Sequence, residues 1–164
     1  ATSGYKKVDD ADALLQALEN EDRLLAPLST IVTMNDDSGR LLCTARVIIR
    51  TNAEHVLLPV ERVFGYRAPL SDGRRLIEIA RLASVAGGGL LSMQELLIAL
   101  YERVDPDSTK DIVVACLDHS LYKKINMAGW PVRAIGEPLF YLGSETIPIR
   151  VDLSAFESLV SELR

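Results

Sequence analysis

The segment from Leu76 to Val104 constrains this chain most. Nine strand-like residues, Leu76-Ile77-Glu78-Ile79-Ala80-Arg81-Leu82-Ala83-Ser84, lead through Val85-Ala86-Gly87-Gly88-Gly89 into an apolar-periodic run that begins at Leu90. Side chains alternate along a strand, so Leu76, Glu78, Ala80 and Leu82 share one face and Ile77, Ile79, Arg81 and Ala83 the other. Both faces are apolar, which puts the strand in the middle of a sheet. Glu78 and Arg81 then lie where an ion must find a partner or shift its pKa, because taking a lone charge out of water is costly. Leu90, Met93, Leu97, Leu100 and Tyr101 recur at helical spacing, and Asp105-Pro106-Asp107 ends that helix. Strand, glycine turn and helix together offer backbone N–H groups to an anionic or thioester-bearing ligand.

The chain has 164 residues, 48% hydrophobic and 25% charged. That size and composition fit one globular domain, residues 1–164, around a single core. No run of 18 or more apolar residues suggests a membrane span. The net charge of −5 is spread over interleaved acids and bases with no Lys/Arg tract, which argues against a nucleic-acid partner. Cys43 and Cys116 sit in apolar runs without metal or disulfide spacing and read as reduced core residues of a cytoplasmic protein. Ala1 to Tyr5 carry no signal segment.

The remaining elements follow from pattern. Gly4 to Val8 is a strand candidate, and Asp9 or Asp10 offers an N-cap to a helix burying Leu14, Leu15 and Leu18. Leu28 to Met34 and Leu41 to Ile49 form a hairpin across Asn35-Asp36-Asp37-Ser38-Gly39, with Arg46 facing a central sheet. Thr51 to Gly73 reads as an ordered, pocket-lining loop. Asp111 to Leu117 is a buried strand, His119 to Ala128 a helix closed by Gly129, and Pro131 to Ile135 and Ile147 to Leu153 are strands. A last helix, Ser154 to Leu163, is capped by Ser154. The expected class is mixed α/β with a mostly antiparallel sheet.

This order resembles the GNAT acyltransferase fold. Ile77-Glu78-Ile79-Ala80-Arg81-Leu82-Ala83 is similar to the acidic-x-x-Arg strand of its acyl-homoserine-lactone synthase and N-acyl amino acid synthase branch. Gly39 to Arg46, Leu57 to Phe64, Gly129-Trp130-Pro131 and Ile135-Gly136-Glu137-Pro138 agree in the right order. The resemblance implies that Glu78 is a base for the acceptor amine, where burial would bring its pKa towards working pH. The other reading of Glu78 is a structural ion pair with Arg81 or Arg46. By resemblance, Arg46 and Arg81 belong to a polar cluster around the acceptor, and a β-bulge near Ile79 to Leu82 is needed for Arg81 to reach the same cleft as Glu78. Ser84, Val85, Gly87, Gly88 and Gly89 would receive the thioester and its pantetheine through N–H groups left free by a splayed strand pair. Tyr122 resembles the general acid near the departing sulfur, or else covers the apolar side of its helix. Phe64 lies in the loop expected to line the pocket; Trp130, with Phe140, walls an acyl pocket or packs in the core.

The resemblance implies an N-acyltransferase with an acyl thioester co-substrate, no tightly bound cofactor and no metal. The turn lacks the basic residue of the coenzyme A pyrophosphate loop, so an acyl-carrier protein is the expected donor. Lys123, Lys124, Arg74, Arg75 and Arg133 are candidates for docking it. The acceptor is the amine of an amino acid or related small molecule; no Arg/Phe/Trp acceptor motif of these synthases is recognisable before Leu28. An acetyl-coenzyme A dependent acetyltransferase and a non-catalytic acyl-binding module are the alternatives.

Overall fold

The computed structural model describes residues 11–71, 73–85 and 90–163. Its strands are β1 (Ser29–Asn35), β2 (Leu41–Arg50), β3 (Leu76–Ser84), β4 (Ile112–Asp118), β5 (Val132–Ala134), β6 (Leu139–Tyr141) and β7 (Ser144–Val151). Its helices are α1 (Ala11–Leu25), α2 (Pro59–Phe64), α3 (Leu90–Val104), α4 (His119–Met127) and α5 (Leu153–Leu163). All seven strands belong to one sheet, in the order β1-β2-β3-β4-β7-β5, with β6 also on β7. The class is the expected mixed, mostly antiparallel α/β. Only β3 and β4 pair in parallel among the described strands, joined through α3.

Local chemistry sets the corners. Asp36 Oδ1 accepts from the N–H groups of Ser38 and Arg40, both at 2.9 Å, which closes the β1–β2 turn, and Gly39 takes the left-handed φ of +84° that the turn requires. Asp118 caps α4 by accepting from the Ser120 N–H at 2.8 Å. The cap of α5 is Asp152, which accepts from the Ala155 N–H at 3.1 Å, rather than Ser154. The run Thr51 to Gly73 contains α2, so it is less irregular than its pattern suggests.

Burial follows the two faces of the sheet. Cys43, Ala45, Val47 and Ile77 pack beneath Met93, Leu96 and Leu100 of α3. Trp130, Ile147 and Ile149 pack with Ile125 of α4 and Phe156 of α5. On the opposite face Ile48, Leu76 and Val114 meet Leu25, Leu58 and Val60. The apolar stripe expected of α1 is only partly buried: Leu15 is 56% exposed, while Glu21 and Leu25 are the residues it encloses. The candidate strand at Gly4 to Val8 and the caps Asp9 and Asp10 lie outside the described residues.

Strand β6 went unrecognised because it is three residues long and its Phe140 is 62% exposed, which also removes Phe140 from any pocket wall. Pro148 sits inside β7, where a missing N–H would break a ladder. Its carbonyl bonds the Ile135 N–H on the side where β7 changes partner from β6 to β5, and the gap between those two short strands absorbs the lost donor. Both cysteines are free thiols; Cys43 is buried and Cys116 only partly so. Among the described residues no helix is long and apolar enough to cross a membrane.

Leu96, fully buried between α3 and the sheet, has no room to relax after truncation. Leu96→Ala is expected to lower unfolding free energy by about 2–5 kcal/mol in denaturant titration, and Leu41→Ala, at a 41% exposed position, by less than about 1 kcal/mol.

Candidate active site

β3 and β4 pair over four rungs only, from Leu76 opposite Ile112 to Ile79 opposite Ala115. Beyond that point β3 continues to Ser84 beside β2, and β4 continues to Asp118 beside β7. Each strand keeps its outer partner and loses its inner one. The wedge between them opens a cleft of about 1460 Å³, counted with its solvent-facing mouth, bordered by Glu78, Ser84, Cys116 and Asp118 from the two strands and by Glu21 and Tyr141 from α1 and β6.

The expected bulge is present. Between the pairs Arg46–Ala80 and Thr44–Ala83, one residue of β2, Ala45, opposes two of β3, Arg81 and Leu82, and Arg81 takes a φ of +52°. The extra residue turns Arg81 to the Glu78 face, where its guanidinium meets Glu21 at 3.1 Å and Asp22 at 3.2 Å. Arg46 also pairs with Asp22 and lies 3.6 Å from Glu21; Arg62 pairs with Glu21, and the Tyr141 hydroxyl donates to it at 3.0 Å. Burial, followed by the Glu21 charge, pushes the Tyr141 hydroxyl up to about 12, so it stays a donor. Glu21 therefore organises the charged wall. The pattern did contain a sign of it: Leu14, Leu18, Glu21 and Leu25 share one helical stripe, so a carboxylate stands where an apolar side chain was due.

Glu78 is separate from that network. It is fully buried, and no salt bridge reaches it among the described residues, since Arg46 and Arg81 are held by Glu21 and Asp22. The ion-pair reading of Glu78 is thereby corrected. Its carboxylate accepts from the Val60 N–H at 3.1 Å and from the Cys116 thiol at 3.5 Å. Burial outweighs both donors and raises its pKa to about 8, with Glu21 and Glu61 adding repulsion. Glu61 is satisfied elsewhere, by Arg50 at 2.6 Å and the Leu58 N–H at 3.0 Å.

A second space lies on the helical side of the sheet. This narrow apolar cavity, about 70 Å³ of free interior, is lined by Leu100, Tyr101, Trp130 and Phe156 among others. Leu82, Met93, Leu117 and Leu121 border both it and the cleft. Trp130 is thus on the cavity wall while also packing on Phe156 at 5.4 Å. Phe64 stands edge-on to Tyr141 at 6.3 Å. The structure does not bring Tyr122 to the cleft; it packs on the cluster around Ile125 and stacks on His119, and Ser120, Leu121 and Lys124 are the α4 residues at the cleft.

Ser84 borders the cleft, but the N–H of Val85 is not free, donating to the Leu42 carbonyl at 2.9 Å. Amides alternate along a strand, so the Ser84 N–H points to the opposite, unpaired edge. Gly87, Gly88 and Gly89 lie outside the described residues. Of the docking candidates, Arg75 is committed to Asp111, whereas Lys123, Lys124 and Arg133 are exposed. No cluster of His, Cys, Asp and Glu among the described residues could hold a metal ion.

The raised Glu78 pKa makes stability depend on pH. Below about 4.5 the carboxyl is protonated in both folded and unfolded chains; between about 4.5 and 8 only the unfolded chain releases the proton, so stability falls as pH rises through this window. Glu78→Gln, which keeps an acceptor for the Val60 N–H, is expected to melt with wild type near pH 4 and about 3–10 °C above it at pH 8 in thermal unfolding.

No family model and no curated protein matches the sequence. Solved structures do. TofI, in a ternary complex with an inhibitor and MTA, superposes with a TM-score of 0.57 at 15% identity, covering 94% of this chain and 94% of that one. FeeM, an N-acyl amino acid synthase from uncultured soil microbes, gives 0.54 at 13%, covering 96% of each. BjaI, a coenzyme A dependent acyl-homoserine lactone synthase with SAM and isopentyl-CoA, gives 0.52 at 16%, covering 92% of this chain and 83% of that one. This chain therefore has the fold of the acyl-homoserine lactone synthases and of the N-acyl amino acid synthase FeeM.

Proposed function

We propose that the protein is an N-acyltransferase that moves an acyl group from a thioester to the amine of an amino acid or related small molecule. One observation carries the reading: a carboxylate with no cation partner among the described residues stands in the wall of a strand-splay cleft that shares a border with an apolar cavity. The fold shared with acyl-homoserine lactone and N-acyl amino acid synthases supports it.

Each part of the site has a task. The acyl chain enters behind Leu82, Met93, Leu117 and Leu121 by parting the side chains of the narrow cavity, where burying each CH₂ contributes about 0.8 kcal/mol. The free edge of β3 at Ser84 directs its N–H to the thioester carbonyl, stabilising the oxyanion. The amine nitrogen attacks the carbonyl carbon, the C–N bond forms and the C–S bond breaks. Glu78 takes the amine proton, directly or through a water, and that proton is returned through solvent in the cleft to the departing thiolate, which leaves as a thiol. A carboxyl with a pKa near 8 is a stronger base than an ordinary one once ionised. Arg81, 28% exposed and anchored by Glu21 and Asp22, presents positive charge to an acceptor carboxylate.

The donor is an acyl-carrier protein or coenzyme A thioester. Exposed Lys123 and Lys124 on α4, the latter at the cleft, suit an acidic carrier. The complete burial of Glu78 favours a second reading, a non-catalytic module that holds an acyl thioester in the same cleft.

A thiol-release assay separates these readings, with acyl-carrier protein and acyl-coenzyme A donors of graded chain length against amino acids and S-adenosylmethionine, the latter included because BjaI was solved with SAM. Turnover is expected with one donor class and one acceptor, rising with pH to a plateau above about 8. Glu78→Gln should cut turnover by about 10²-fold or more without loss of fold. Saturable acyl-thioester binding with no thiol release across the panel would establish the module instead.

A further inference from the structure

The buried carboxylate of Glu78 meets the cleft through one neighbour. Of its two hydrogen-bond donors, the Val60 N–H belongs to the first turn of α2 and is fixed by the backbone. The other is the Cys116 thiol, a side chain that is only partly buried and borders the cleft. Cys116 is a free thiol and its side chain makes no other hydrogen bond among the described residues.

We propose that Cys116 is a positioning residue for Glu78, its S–H holding one carboxylate oxygen while the Val60 N–H holds the other, so that the carboxylate is fixed in orientation and supported in its ionised form. This deepens the reading of Glu78 as the base and rests on it.

The charges around Glu78 explain why a weak donor matters. Glu21 faces it from α1 and Glu61 from α2, and both oppose its ionisation. From β2, Arg46 and Arg50 flank Ile48, which lies opposite Glu78, but Arg46 is held by Glu21 and Asp22 and Arg50 by Glu61. With the nearby cations engaged, the two donors are what favours the anion. Burial and the adjacent carboxylate push the Cys116 thiol up, so it remains protonated and able to donate. A thiol is a weak donor beside a hydroxyl. It holds the carboxylate without drawing its pKa far below working pH.

The test compares Cys116→Val with Cys116→Thr, side chains of nearly equal shape that differ in a hydroxyl donor. Glutamate carrying carbon-13 at Cδ is incorporated, and the Glu78 resonance is identified by its loss in Glu78→Gln. Its titration midpoint is then read by NMR. Cys116→Val is expected to raise the midpoint by about one pH unit, tenfold in acidity, and Cys116→Thr to leave it at or below that of wild type. Should the branched pair fail to fold, Cys116→Ala and Cys116→Ser make the same comparison. Equal midpoints in the donor and non-donor variants overturn the proposal. The titration needs no turnover, so a midpoint that moves in a chain without thiol release rejects the transferase reading and keeps the role of Cys116. Where thiol release is present, the acid limb of its pH profile is expected to move with the midpoint.

Discussion

The parting of β3 from β4 after four rungs is the constraint on which the site depends. A parallel pair leaves no backbone group free while it continues, and an unpaired sheet edge in the interior is costly unless water or a ligand meets it. Here the cost is contained, because β2 and β7 keep the outer edges of the two strands bonded well past the fork. The wedge therefore has stiff walls, and what it leaves open is amide, carbonyl and side chain rather than loop.

Two charge systems share one side of the sheet without merging. Glu21 and Asp22 draw Arg46, Arg62 and Arg81 into a network of three cations and two anions. Glu78 stands nearby with hydrogen bonds but, among the described residues, no cation. Buried networks of that kind contribute little net stability against apolar packing of the same volume, though breaking one partner is severe. Their effect here is allocation: arginines committed to α1 leave the β3 carboxylate with a raised proton affinity.

Much of this was legible in the residues. Strand β3 and helix α3 have the bounds their periodicity gives, and the bulge at Arg81 follows from asking how alternation could bring Glu78 and Arg81 to one cleft. Less was legible where the decisive fact is a partner in space. That Arg81 pairs with Glu21 rather than Glu78 is a contact across 60 positions, and nothing local to either residue states it. Strand β6 is too short for a period, and the N–H of Val85 is lost to β2 because the β2–β3 ladder continues one residue past Ser84. The cavity was foreshadowed by Trp130, but its junction with the cleft through Leu82, Met93, Leu117 and Leu121 belongs to four elements at once.

The inserted residue in β3 has a consequence for how such a chain can change. Before it, even-numbered positions carry the Glu78 side of the sheet; after it, the parity inverts, so that Leu82 joins Ile77 and Ile79 against the oily core while Arg81 stays with the acids. Pairing of the intact β3 on β2 without the bulge would exchange the two, setting a guanidinium among hydrocarbon and a leucine among carboxylates. Point substitutions can drift along this strand, but its reading frame in space is locked, and the lock is one left-handed arginine.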